Sequence, residues 1–176
     1  MNAMRKYAVW MVGLGLAAFI IPSLFGSFEK FGSNTAPKVQ QPKKQYEPPF
    51  RMDGTVWAVN QTDTIAAFRT EYATTPETIE IGMMYRQNVA TDMAMLFFMP
   101  GGAQPRSFWM KNTLVSLDII YLNEEGVVVS MQENAQPLST QSLPSTAPAA
   151  YVLEVLGGSA ATIGIELGTK MYWTDK

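Results

Sequence analysis

A lysine, an asparagine and an aspartate fall close together in the stretch FWMKNTLVSLD, as Lys111, Asn112 and Asp118. A Lys–Asp pair set in an apolar wall can polarise a bound group or exchange a proton with it. Arg86 and Glu154, each embedded in apolar sequence, can join them in a polar site. The same residues fit a plainer role. In an extended strand Phe108, Met110 and Asn112 face one way and Trp109, Lys111 and Thr113 the other, which lays the Lys111 ammonium against the Trp109 indole. Asn112 and Thr113 then close the strand with side-chain-to-backbone hydrogen bonds, and Asp118 either pairs with Lys111 or accepts turn N–H groups. The candidate ligand-binding residues are thus Arg86, Lys111, Asn112 and Asp118, set against a polar lock between two core strands.

The 176 residues include no histidine and no cysteine. This excludes a Ser-His-Asp triad, a Cys-His pair and a zinc site with nitrogen or sulfur ligands. Thioether-bound haem, thiolate-held iron–sulfur clusters and an imidazole pH switch go with them. Glu124-Glu125 sits at a turn tip, without the several converging oxygens that magnesium or calcium requires. Twelve Met and nine Phe either fill an irregular core or form an adaptable protein-binding face; as a copper site they would offer only thioethers beside carboxylates. No metal, no cofactor and no enzymatic activity are expected.

The elements that must position these groups are mostly strands. Segments 55–60, 63–73, 95–99, 106–111, 117–122, 127–132, 150–156 and 170–174 have strand composition, and Asn123–Gly126 is a hairpin turn. Thr75-Pro76-Glu77 starts a helix, with a Thr cap, Pro in the first turn and an acid beside it. The pattern carries that helix to about Gln87, with Ile79, Met83 and Arg86 along one face. Gly157-Gly158 precedes a second short helix over 159–167. The expectation is a mainly β (α+β) domain over 55–176, a compact β-rich barrel or sandwich with two short helices, preceded by one transmembrane helix.

That helix is Tyr7–Phe25, nineteen residues without a charge, roughly 28 Å long as a helix and close to the thickness of a bilayer core. Arg5 and Lys6 precede it; Tyr7, Trp10, Phe19 and Phe25 are its aromatic anchor residues, Tyr7 and Trp10 lying at interfacial depth. The run is longer than a cleaved signal core, and the cleavage windows after Ser27 and Ala36 carry Phe25 and Asn34 where a small residue belongs. Residues 1–25 therefore read as an uncleaved anchor. Residues 26–54, with the proline-rich APKVQQPKKQYEPPF, read as an extended linker. The basic flank places the body outside the cytoplasmic membrane of a bacterium, on the periplasmic side, although Lys30, Lys38, Lys43 and Lys44 count the other way. Residues 55–176 carry six basic and twelve acidic side chains, which argues against a nucleic-acid partner.

GMMYRQ at 82–87, DMAMLFFMP at 92–100, FWMKNTLVSLDIIYL at 108–122, AAYVLEVLGG at 149–158 and IGIELG at 163–168, in that order and spacing, resemble Domain of Unknown Function family 192 from about Thr55 to the C-terminus. The resemblance implies a small β-rich domain, often behind a signal or anchor segment, and no activity. The chain departs from the family pattern at Ala94, where a glycine is typical, at Ser116, where a proline is, and at Thr169, where an aspartate often stands. With so little catalytic repertoire on a tethered body, the leading expectation is an accessory subunit whose extracytoplasmic domain binds and stabilises an integral membrane protein complex. The alternatives are a tethered binder of a small polar ligand or envelope glycan, or an enzyme using Lys111 and Asp118 as acid and base.

Overall fold

A computed structural model describes residues 46–174. The expected anchor, with Tyr7, Trp10, Phe19 and Phe25, and most of the linker lie outside the described residues. Among those described, no helix is long and apolar enough to cross a membrane.

The body is built on nine strands: β1 (Gly54–Asn60), β2 (Asp63–Ala73), β3 (Met93–Phe98), β4 (Ser107–Phe108), β5 (Leu117–Leu122), β6 (Val128–Ala135), β7 (Leu143–Pro144), β8 (Tyr151–Leu156) and β9 (Lys170–Trp173). Seven form one sheet in the order β6-β5-β8-β3-β2-β1-β9, and β4 pairs with β7 in a small ribbon. Within the large sheet β2 and β3 run parallel and the other pairings are antiparallel. The parallel step needs a crossover, supplied by the segment that holds α1 (Pro76–Ile81). The two edges of the sheet meet: Val128 N–H donates to the Thr169 carbonyl at 2.9 Å, Met171 N–H to that of Gly126 at 2.8 Å, and Val127 bridges Lys170.

Period-two alternation divides the side chains between two cores. Phe68 and Tyr72 of β2, Ala94 and Leu96 of β3, Ile120 and Leu122 of β5 and Leu153 and Val155 of β8 fill the inner face with Met171. The short helix α2 (Ser159–Ile163) joins them through Ala160 and Ile163. Ala73, Met95, Phe97, Ile119, Tyr121 and Val152 point to the outer face. A cover layer closes over them, with Met83, Met110 and Phe108 packed down and Phe97 meeting Phe108 edge-to-face at 5.1 Å. The Met and Phe residues of both layers are thus chiefly core.

The capped start of the first helix forms as read. Thr75 Oγ1 accepts from Thr78 N–H at 3.3 Å, while Thr75 N–H donates to Thr78 Oγ1 at 3.0 Å, a capping box built from two threonines. The helix, however, stops at Ile81 rather than Gln87. Gly82 takes φ 49° and ψ −133°, a conformation closed to residues with a Cβ, and its N–H closes the last turn on the Thr78 carbonyl at 3.0 Å. Arg86 therefore lies on a loop. The expected strand 106–111 shrinks to Ser107–Phe108, because Pro105 has no N–H to pair and Met110 donates its own to the Ser139 carbonyl instead. Strand β7 had no signal of its own, and the second helix ends at Ile163 because Gly164 is left-handed at φ 86°.

Candidate functional site

Three strands bring two glutamates into line. Glu71 of β2 is registered with Met95 of β3, and Met95 with Glu154 of β8. All three belong to the outward-facing set, since Thr70 and Tyr72, Ala94 and Leu96, and Leu153 and Val155 are their inward neighbours. With strands about 4.8 Å apart, the two glutamates sit two strand spacings from one another with the Met95 side chain between them. Both are buried, Glu71 completely and Glu154 to within 4%.

The loop after α1 delivers the third member. Gly82 crosses so close above the sheet that a Cβ there would lie 3.1 Å from the Phe97 ring and 3.4 Å from Glu154 Oε2. From this pass the chain turns down, and Arg86, 6% exposed, places Nη2 at 2.5 Å from Glu71 Oε1. Tyr85, one residue earlier, is held in a left-handed conformation at φ 65° by Asn112, itself at φ 58°. The Tyr85 N–H donates to the Asn112 carbonyl at 2.9 Å, and Asn112 Nδ2 donates to the Tyr85 hydroxyl at 3.0 Å. Two residues that share one disfavoured backbone region thus lock each other.

The end of the linker stretch forms the opposite wall. Glu47 Oε1 accepts from Gln87 N–H at 2.9 Å, Asp53 Oδ2 from Tyr72 N–H at 2.9 Å, and Phe50 lies 5.6 Å beneath the Arg69 guanidinium. Arg51 reaches inward to Asp53 at 3.2 Å, to the Tyr72 carbonyl at 3.2 Å and to Glu71 Oε2 at 3.7 Å. Between this wall and α1 opens a cavity of about 230 Å³, floored by Glu71, Arg86 and Met95 and walled by Tyr46, Pro48, Pro49, Ile81 and Tyr85. A second, much smaller hollow, also bordered by Gly82, has Glu154 and Trp109 in its lining.

The electrostatics of the floor are unusual. Glu71 Oε1 and Oε2 are held by the ion pairs to Arg86 and Arg51 alone, while Arg86 Nε and Glu154 Oε2 are buried with no hydrogen-bond partner among the described residues. Burial is the main cause that pushes the Glu154 carboxyl up to about 8, and the Met83 amide and Arg86 offset only part of it. Burial likewise raises Glu71, against the pull of Arg86 and then Arg51. At neutral pH Glu154 is thus mainly a neutral acid that can donate a hydrogen bond.

Of the four residues picked from the sequence, Arg86 forms the floor and Asn112 acts through Tyr85 on the rim. Lys111 is exposed, its ammonium 5.1 Å from the Trp109 ring. Asp118 does other work. Its Oδ1 accepts from Asn134 N–H at 2.8 Å and Gly158 N–H at 3.0 Å, and its Oδ2 from Ala160 N–H at 2.8 Å. It is a backbone lock at the start of α2, and its partners lie 16 to 42 residues away rather than in the adjacent turn. Glu71 escaped the sequence reading. The available signal was an acid amid Thr70, Tyr72 and Ala73, an outward position of a strand with no other charge in that half after Arg69.

Residues 57–173 match the family model DUF192, described as an uncharacterized ACR. A protein of unknown function from Novosphingobium aromaticivorans DSM 12444 is 33% identical with a TM-score of 0.64, over 68% of this chain and 84% of that one. A Sinorhizobium meliloti 1021 protein, provisionally labelled a transcription regulator, is also 33% identical, with a TM-score of 0.65 over 68% and 92% of the two chains. No curated protein matches significantly.

Proposed function

The chain belongs to the DUF192 family, and because that family carries no assigned activity we propose its function from the cleft: the domain is a membrane-tethered binding protein that captures a small polar ligand over Glu71 and Arg86. The anchor expected at 7–25 holds the body on the periplasmic side of a bacterial inner membrane, and the body binds rather than turns over its ligand. One observation carries this reading, a buried Glu71–Arg86 ion pair on the floor of an open cavity, whose Arg86 Nε has no hydrogen-bond partner among the described residues. A buried donor of that kind costs about 1–3 kcal/mol when left unpaired. A fold keeps such a cost where a bound molecule offsets it, and concave, mostly apolar sites with a few converging polar groups are where small ligands bind.

The accessory-subunit role is the second reading, favoured by the apolar rim. Tyr46, Ile81, Tyr85 and Trp109 are all exposed around the two openings, a surface suited to an integral membrane partner. The transcription label of the Sinorhizobium protein does not extend to this body, whose excess of acids opposes a nucleic-acid partner.

Native mass spectrometry of the full-length protein, taken from its own membranes into nanodiscs, separates the two. A small molecule released in stoichiometric amount from the wild type and missing from Arg86→Met supports the cleft. Recovery of a ligand-free protein bound to an integral membrane subunit, with that binding lost in Trp109→Ala, overturns it in favour of the accessory role.

A further inference from the structure

Resting on the tether of the reading above but not on its ligand, we propose that the face around the cleft mouth docks on the lipid headgroup layer of the membrane that anchors the chain. Among the described residues eight large apolar side chains are exposed, and four of them, Tyr46, Ile81, Tyr85 and Trp109, surround the two openings. They form one patch. Ile81 and Gly82 border both openings, with Tyr46 and Tyr85 in the lining of one and Trp109 in that of the other. Asn112 Nδ2 ties the Tyr85 hydroxyl to the segment that carries Trp109 and Lys111. The composition is that of a membrane interface. Tyr and Trp combine an apolar ring with a polar tip and concentrate at headgroup depth. Lys111, exposed with its ammonium 5.1 Å from the Trp109 ring, supplies a cation at the same place.

Two further observations choose a bilayer as the occupant. The first is where the chain enters the body. Tyr46 is the first described residue and lines the cleft, so residues 26–45, which follow the expected anchor, reach the body at this patch. Tethering at that point holds this face at a high effective concentration beside the bilayer, so a weak patch is enough. The second is charge. Residues 55–176 carry six basic and twelve acidic side chains, and an acidic body turns its least acidic face to an anionic leaflet. Lys111 lies on this face, and Lys38, Lys43 and Lys44 precede Tyr46 in the sequence. Lysines clustered beside a bilayer are drawn to anionic headgroups. Glu47 and Glu80, both exposed at the patch, oppose that pull. The rings therefore supply most of the affinity, and the lysines set a preference for anionic lipid.

The test uses the untagged full-length protein in pure-lipid nanodiscs of phosphatidylcholine with a quarter phosphatidylglycerol. The chain has no cysteine, so a single thiol can be introduced and spin-labelled. Gln87→Cys marks the patch, because the Gln87 N–H is bonded to Glu47, the neighbour of Tyr46. Thr62→Cys marks the turn between β1 and β2, nine residues before Glu71 and so roughly 30 Å away along the strand. Nickel chelated to lipid headgroups relaxes labels held near the bilayer, and a chain without histidine offers it no imidazole. The expected result is several-fold stronger relaxation of the label at 87 than of the label at 62. Tyr46→Ser combined with Trp109→Ala is expected to weaken docking by about tenfold or more and to erase the difference, with the melting temperature close to wild type. Lys111→Glu, an exposed change, is expected to weaken it by about threefold to tenfold in the anionic discs and little in pure phosphatidylcholine. Equal relaxation of the two labels, or stronger relaxation at 62, overturns the docking; a native ligand still released from wild type and lost from Arg86→Met would leave the cleft reading standing. A difference that appears only in discs formed from native membranes assigns the face to an integral membrane protein and overturns the lipid assignment. Failure of the chain to stay in the discs overturns the tether and the docking together.

Discussion

Asp118 and the Glu71–Glu154 pair are buried carboxylates in strands of one sheet, yet the protein treats them in opposite ways. Asp118 spends both oxygens on three backbone amides. Glu71 rests on ion pairs to Arg86 and Arg51 with no backbone amide, and Glu154 Oε2 and Arg86 Nε have no hydrogen-bond partner among the described residues. Burial is the same and satisfaction is not. A saturated carboxylate organises the chain around it, whereas an unsaturated one stores the ability to bind something else. The contrast marks Asp118 as architecture and the glutamate row as a site.

Removing Asp118 should have the largest effect. Asp118→Ala leaves three amides without an acceptor and frees the start of α2, an expected loss of about 3–5 kcal/mol. Urea denaturation would register this as a fall in midpoint. If the loss were under about 1 kcal/mol, Asp118 would not be the structural half of the comparison.

The glutamates should respond to pH in the opposite sense from an ordinary ion-paired acid. Glu154 in the folded protein holds its proton up to about 8, while the unfolded chain releases it near 4.3. Between those values the folded state binds more protons, so stability falls as pH rises, by up to about 1.4 kcal/mol per unit, and levels off above 8. Glu71 is raised as well and adds the same sign. Glu154→Gln should match wild type near pH 5, exceed it at pH 9 and flatten only part of the slope. A wild-type stability that climbs from pH 5 to 8 would break the comparison at its root.

Smaller effects sharpen it. Asn112→Ala removes the bond to the Tyr85 hydroxyl and places alanine at φ 58°, an expected cost of about 1–2 kcal/mol. It should also weaken ligand binding by letting the Tyr85 ring swing from the rim. Asn112→Gly should recover much of the stability without the binding. Lys111→Met tests the least. An exposed ammonium over an exposed indole should change the thermal midpoint little, within about 0.5 kcal/mol of stability.

Much of the strand framework was legible because its signal is local. β1, β2, β5 and β8 match their expected spans to within a residue or two, since alternation and turn residues act over a few positions. The Thr75-Pro76 start is legible for the same reason. Its end was not, because the continuing apolar pattern outweighed one glycine whose backbone angles are set by the need to pass over Phe97 and Glu154. The FWMKNT alternation held from Phe108 to Lys111 and failed at Thr113, which is buried, once Asn112 turned left-handed.

By itself the sequence determined what chemistry is excluded, through the want of imidazole and thiol, and it identified the family through motif order. Only the tertiary structure decided which carboxylates stand together. Glu71 and Glu154 are 83 positions apart and come to flank Met95 through a parallel pairing on one side of β3 and an antiparallel pairing on the other. It likewise decided that backbone amides satisfy Asp118, whereas Glu71 rests on arginines and Glu154 Oε2 has no hydrogen-bond partner among the described residues. A local pattern tells a side chain which face to take; whether a buried oxygen finds a donor depends on segments that arrive from elsewhere in the chain.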